Sequence, residues 1–176
     1  MLSLARRALH SLRMESFQPD LSLVPVNLRE KQACFVTLRK CEALRGCIGQ
    51  VMARLPLYQA VLHNAQSAAL CDPRFPAVQP DEVDQIRIEI SVLSEPRALS
   101  FVSVDDLLDQ LQPHHHGVLL ELGGRMATFL PQVWEHIPER TEFLDRLAQK
   151  AGFPPSSWRG KNTLLSVYQV ESFEEN

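Results

Sequence analysis

Residues 85–93, "QIRIEISVL", carry the clearest alternation of apolar and polar positions in the chain. Ile86, Ile88, Ile90 and Val92 point one way, and Arg87, Glu89 and Ser91 point the other. A period of two with one apolar face predicts a strand in a half-covered sheet, the usual pattern of an antiparallel sheet backed by helices. Residues 33–40, "ACFVTLRK", predict another strand, followed by a turn at "CEAL" and a second strand marked by glycine. Leu57, Ala60, Val61, Asn64, Ala65 and Ala68 recur at helical spacing behind Pro56, a residue suited to the first helical turn because its missing N–H is not needed there. That helix stops at "DPRFP", where Asp72 precedes a proline.

The second half follows the same logic. Ser103 with Asp106 three residues on predicts a short capped helix. Val118–Leu122, Gly123-Gly124 and "MATFL" predict a hairpin, with "FLPQVW" as a strand end anchored by Trp134. "TEFLDRLAQKAG" predicts a helix with Thr141 as N-cap and Gly152 as terminator. The C-terminal "TLLSVYQVESF" predicts one last strand, although its alternation does not settle which face is inward. Near the N-terminus, Leu2, Ala5, Leu9 and Leu12 line one side of a weak amphipathic helix, and residues 15–30 form a connector. Strands and helices are interspersed and the best strand is amphipathic, so the pattern favours an α+β fold over a doubly wound parallel sheet.

Composition adds exclusions. The chain has 176 residues, 45% of them apolar and 22% charged, with a net charge of -3. That balance argues against a broad nucleic-acid or membrane surface, and no apolar run is long enough to span a bilayer. The four cysteines, Cys34, Cys41, Cys47 and Cys71, form no C-x-x-C pair or zinc-finger spacing and read as free thiols of a cytoplasmic protein.

Candidate chemistry centres on "LRGCIG", residues 44–49. In an extended strand Arg45 and Cys47 share a face about 7 Å apart, so the guanidinium can favour a thiolate. Gly46 and Gly49 let a ligand or a neighbouring backbone approach closely. The structural alternative is a small buried thiol with glycines serving a bulge. A cysteine nucleophile needs a base, and His63, on the helix that follows, is the candidate, with Asp72 able to complete a set. Asp72 and Arg74 lie in a proline-stiffened turn, where they either cap local amides and pair with each other or line a cleft against the glycine motif. His114, His115 and His116 are adjacent and cannot all face one ion in regular structure, so no metal site is assigned.

Together, "LRGCIG" at 44–49, "NAQSAALCDPRFPAV" at 64–78, "IRIEISVLSEP" at 86–96, "TFLPQVW" at 128–134 and "FLDRLAQKAGFPPSSW" at 143–158 resemble the AMMECR1 domain family. The chain resembles in particular the bacterial members called AmmeMemoRadiSam system protein A. The resemblance runs from about residue 4 to residue 174 as a single domain. It implies an α+β fold, an antiparallel sheet flanked by helices with a smaller lobe, and a cleft between them lined by Leu44–Gly49. It further implies an accessory or small-molecule- or peptide-binding protein acting with Memo-like and radical S-adenosylmethionine partners. On that reading Arg45, Gly46, Gly49, Asp72 and Arg74 bind an anionic ligand and Cys47 contacts it. A thiol-dependent hydrolase or transferase using Cys47, and an adaptor without a ligand site, are the alternatives. No cofactor is implied. The histidine run departs from the family, whose members carry a more mixed loop before the equivalent strand.

Overall fold

The computed structural model of the protein describes residues 1–13, 19–160 and 162–175. The chain forms two compact units, one of Met1–Leu93 with the chain end from Glu171, the other of Ser94–Val170. Each is built on a four-stranded sheet, and together they make an α+β protein of antiparallel sheets flanked by helices.

In the first unit, strand β1 (Ala33–Lys40) pairs antiparallel with β2 (Ala43–Gly49) on one side and β3 (Ile86–Leu93) on the other. Strand β8 (Val170–Glu174) lies outside β3, so β2 and β8 are the edges. The alternation in β3 has the predicted consequence. Ile86, Ile88 and Ile90 share a core with Val36 and Leu38 of β1, beneath helices α1 (Leu2–His10) and α2 (Leu57–Leu70). The amphipathic N-terminal segment contributes Ala5, Ala8 and Leu9 to that core. Arg6 then ties α1 to the sheet, donating to the carbonyls of Val83 and Ile86 and to the carboxylate of Glu175. Part of the predicted connector, residues 14–18, lies outside the described residues; beyond it the chain makes two short 3-10 turns, Leu21–Leu23 and Val26–Arg29.

The β1–β2 hairpin turns on Cys41 and Glu42, both with positive φ, 50° and 63°. Two left-handed residues are what a tight two-residue hairpin turn requires. The hairpin of β5 (Gly117–Leu122) and β6 (Arg125–Phe129) solves the same problem with Gly123 and Gly124, at φ 54° and 74°. Below the first turn Arg39 pairs with Leu44 but Leu38 pairs with Gly46. Arg45 is therefore the extra residue of a β-bulge, and it shifts the register so that Cys47 stands opposite Thr37.

The second unit orders its sheet β4 (Arg97–Ala98), β7 (Leu164–Tyr168), β5, β6. Its core gathers Leu107 from α3 (Val104–Gln110), Val118 and Leu120 from β5, and Phe143, Leu144 and Leu147 from α4 (Arg140–Lys150). Trp134 is fully buried and stacks on Phe143 with ring centroids 3.6 Å apart. Ser103 caps α3 through the Asp106 amide, as its spacing predicts.

Three expectations change. Thr141 does not cap α4; the helix begins at Arg140 behind Glu139, so Thr141 lies inside the first turn. The "PQVWE" segment is a 3-10 turn rather than a strand end, because Pro131 opens a helical turn readily. The C-terminal strand is two strands: Gln169 interrupts it, β7 joins one sheet and β8 the other. A single strand serving two sheets has no single inward face, which is why its alternation is imperfect.

Among the described residues, no helix is long and apolar enough to cross a membrane. The Cys41-Glu42 turn holds two side chains in a region that costs L-residues roughly 1–2 kcal/mol each. The double substitution Cys41→Asn, Glu42→Gly is expected to stabilise the protein by about 1 kcal/mol, read as a higher urea midpoint with an unchanged slope.

Candidate functional site

Strand β2 is an edge, so the residues pointing away from β1 expose backbone groups that need partners. Cys47 is one of them, and the turn after α2 supplies both partners. Asp72 Oδ2 accepts the Cys47 N–H at 2.8 Å, and Arg74 Nη2 donates to the Cys47 carbonyl at 3.3 Å. The turn is built for this. The Phe75 amide donates to the Asp72 carbonyl at 3.1 Å, closing a β-turn, and the Arg74 amide donates to Asp72 Oδ1, also at 3.1 Å. Arg74 then folds back onto the same carboxylate, Nε to Oδ1 at 2.9 Å and Nη2 to Oδ2 at 2.6 Å. The Asp72 side chain is 2% exposed and that of Arg74 54% exposed. The pair is a buried carboxylate under a guanidinium that faces water.

The hydrogen bond from Arg74 holds the Asp72 carboxyl well below the usual carboxylate range; burial opposes it, and the Cys47 amide adds to it. The Cys47 thiol is half-buried and meets the Thr37 hydroxyl, which donates to Sγ at 3.3 Å. Thr37 lies on the face of β1 opposite Val36 and Leu38, so the thiol stands on the sheet face away from the helices.

The bulge turns Arg45 toward a different partner. Its Nη2 donates to Glu82 Oε1 at 2.6 Å and its Nη1 to the Pro76 carbonyl at 2.7 Å, and the side chain is 14% exposed. Lys40 Nζ donates to Glu82 Oε2 at 2.9 Å and the Gln79 amide to Oε1 at 2.9 Å. Burial pushes the Glu82 carboxyl up, but the hydrogen bonds from Lys40, Arg45 and the Gln79 amide outweigh it and leave it at about 2.

The two glycines are filled by the protein itself. A Cβ on Gly46 would lie 2.1 Å from the Ala68 carbonyl oxygen of α2, and one on Gly49 would lie 2.4 Å from the Phe35 ring. Helix α2 thus rests directly on the β2 backbone, and an aromatic ring covers the other glycine. His63 is exposed on α2; among the described residues it shares no hydrogen bond with Cys47. Its neighbour Asn64 is buried and donates to the Cys34 carbonyl at 2.9 Å. Burial pushes the Cys34 thiol up to about 11, against a hydrogen bond from Asn64.

The histidine run divides. His114 and His115 are exposed, His114 at φ 65°, while His116 is buried. Its Nδ1 accepts the Gln112 amide at 3.2 Å and its carbonyl accepts Trp134 Nε1 at 2.7 Å. Burial lowers its pKa, and Arg97 and His115 lower it further. Among the described residues, no group of three or more His, Cys, Asp or Glu could hold a metal ion.

The structure therefore brings Cys47, Asp72 and Arg74 together and directs Arg45 to Glu82. Two members of these networks, Thr37 and Glu82, carry no signal in the sequence. An unbulged hairpin around Cys41-Glu42 would set Thr37 opposite Gly46, and Glu82 meets Arg45 across 37 residues of chain.

Two antiparallel sheets backed by helices, with residues 44–49 held on an edge strand, define the class of protein. The chain belongs to the AMMECR1 family, whose model matches residues 2–173. It is 38% identical over 156 residues to Protein MK0488 of Methanopyrus kandleri, covering 84% of this chain and 73% of that one. It is 36% identical over 173 residues to a protein of Methanothermobacter thermautotrophicus, covering 97% and 86%. The crystal structure of the uncharacterized protein PH0010 from Pyrococcus horikoshii superposes with a TM-score of 0.92 at 33% identity, covering 99% of this chain and 89% of that one.

The Glu82 carboxyl titrates at about 2 in the folded protein against an ordinary 4.5, and that of Asp72 is lowered too. The unfolded chain then binds more protons between the two values. The contribution to stability is complete above about 4.5 and is lost as pH falls toward 2. Glu82→Gln is expected to flatten the dependence of the urea midpoint on pH across that window and to leave its slope above pH 6 unchanged.

Proposed function

We propose that the protein is a binding component rather than an enzyme, taking a small molecule or peptide segment by an anionic group at the corner formed by Cys47 and Arg74. One observation carries this reading. The Arg74 guanidinium is fixed through Nε and Nη2 by a buried carboxylate, yet remains more than half exposed beside a half-buried thiol. With Nε and both Nη2 hydrogens engaged by Asp72 and the Cys47 carbonyl, the guanidinium keeps its Nη1 hydrogens for a carboxylate or phosphate at little further entropic cost. Arg45 is less suited to that role, since Glu82 and the Pro76 carbonyl engage it.

Binding is favoured over thiol chemistry by what surrounds the sulfur. The sulfur meets a threonine hydroxyl that donates to it and the Arg74 guanidinium, neither of them a base, and a nucleophile needs an acceptor for its proton. The resemblance of the motif blocks to the bacterial AmmeMemoRadiSam system protein A supports action alongside a Memo-like protein and a radical S-adenosylmethionine protein. Free cysteines support a cytoplasmic setting.

Alkylation by iodoacetamide, followed residue by residue by mass spectrometry, tests the anion site with succinate as probe. Succinate is expected to slow labelling of Cys47 several-fold while leaving the exposed Cys41 and Cys71 unchanged, and Arg74→Gln removes the protection. Equal protection in Arg74→Gln, or none in the wild type, overturns the reading. Co-expression with the Memo-like and radical S-adenosylmethionine proteins is expected to give co-elution in size exclusion with at least one; elution apart from both overturns the partner assignment.

A further inference from the structure

Among the described residues, His116 is the histidine that the fold buries, and it closes a loop. The His115 and His116 amides both donate to the Gln112 carbonyl, at 3.2 and 2.9 Å, and the Gln112 amide donates back to His116 Nδ1 at 3.2 Å. A ring nitrogen that accepts carries no proton, so the imidazole is neutral and holds its proton on Nε2. Within the loop His114 sits at φ 65°, a conformation that L-residues adopt only when held there. The main chain of His116 has a second task. Its carbonyl accepts Trp134 Nε1 at 2.7 Å, and the Trp134 indole stacks on Phe143 of α4. The side chain thus shuts the loop while the carbonyl anchors an indole of the core.

The surroundings oppose a positive charge on this ring. Burial disfavours it most, and Arg97 of β4 and His115 add to that. Among the described residues no carboxylate pairs with the imidazole. Asp109, near the end of α3, and Glu135 and His136, around the end of the Pro131–Glu135 turn, are exposed, and none of them bonds to it. Arg140, at the start of α4, donates to the Leu111 carbonyl at 3.1 Å, one residue before the loop. Tyr168 of β7, whose ring lies 2.3 Å from where a Cβ on Gly117 would stand, is pushed up to about 12 by burial and stays neutral.

We propose that His116 is a proton-operated latch: when its imidazole takes up a proton from solvent, residues 112–116 open and release the Trp134 indole. The proton goes to Nδ1, where the accepting lone pair was. Nδ1–H then faces the Gln112 N–H, two donors where one hydrogen bond stood, and the new cation meets Arg97 instead of a counter-ion. Gln112 is exposed, so water takes its amide once the ring swings out. The closed loop holds the imidazole below its ordinary 6.5, and the open loop lets it return there. The open form therefore binds more protons, and the latch weakens as pH falls below about 6.5.

Hydrogen exchange followed by NMR, corrected for intrinsic rates, tests this at the Trp134 indole N–H. The Leu120 amide, in the middle of β5 between β6 and β7, reports global unfolding. Low urea is expected to speed exchange at Leu120 and leave Trp134 unaffected, the mark of a local opening. From pH 7.5 to 5.5 Trp134 is expected to lose protection several-fold, about tenfold being the ceiling for one proton. His116→Gln, whose side-chain oxygen can still accept the Gln112 amide but does not titrate, is expected to remove that pH dependence. Arg97→Gln removes a neighbouring positive charge and is expected to move the loss to higher pH. The double substitution His114→Gln, His115→Gln is expected to keep the loss. Exchange at Trp134 that rises with urea as steeply as at Leu120, or a pH dependence that persists in His116→Gln, overturns the latch. Should His116→Gln fail to fold, the other two variants decide: an unmoved midpoint in Arg97→Gln, or no pH dependence in the double variant, overturns it equally.

Discussion

The hydrogen bond from the Cys47 amide to Asp72 is the constraint on which the site depends. An edge strand offers backbone groups to any chain that can pair with them, and leaving them buried and unpaired costs about 1–3 kcal/mol each. Asp72 and Arg74 satisfy the N–H and the C=O of the same residue, as a neighbouring strand would, but with two side chains. The ionised carboxylate accepts from Cys47 and Arg74 at once, so the clamp is electrostatic as well as geometric. Everything else in the neighbourhood is arranged to let that turn reach the strand. Helix α2 ends at the right place, Pro73 stiffens the turn, and Gly46 lets the helix lie against the strand without a gap.

The second sheet handles an edge in a related way with different chemistry. Its edge strand β6 presents the Thr128 carbonyl outward, and Lys150, from the last turn of α4, donates to it at 2.8 Å. A lysine on an edge is a common guard against strand pairing. The contrast is informative. One lysine is enough to blunt an edge, whereas the first sheet uses a turn of six hydrogen bonds, two of them to Cys47 and four within the turn. The additional bonds fix position, and position is what a recognition element requires.

Much of the fold was legible because local pattern and tertiary role agree. The apolar alternation of Ile86, Ile88 and Ile90, the helical spacing behind Pro56 and the Ser103 cap each state locally what the packing then uses. Legibility failed where one residue serves a long-range demand. The glycines of the motif allowed for a bulge, and one lies at Arg45 beside Gly46, but its position, which reassigns every cross-strand partner above it, was not marked, since Cys41-Glu42 lacks the usual glycine of a tight turn. The burial of His116 inside a histidine run depends on Gln112 and Trp134, and Trp134 lies 18 residues downstream. The candidate site was legible as a set of residue types but not as a network. Asp72 and Cys47 are 25 residues apart, and nothing in either segment announces the hydrogen bond between them.

The geometry also narrows what residues 44–49 present to another molecule. Glycines flanking a cysteine suggest a backbone cradle, in which bare N–H groups and open space receive a ligand. Here the space over Gly46 is taken by the Ala68 carbonyl and that over Gly49 by Phe35. The Cys47 N–H and C=O are both bonded within the protein. A backbone cradle is therefore already occupied by the protein's own atoms. What the stretch leaves facing outward is side chains, the exposed Leu44 and the half-buried Cys47 thiol, the latter set in line with Thr37 and Glu89. The side chains available at this motif are therefore set by three strands rather than by the six residues alone.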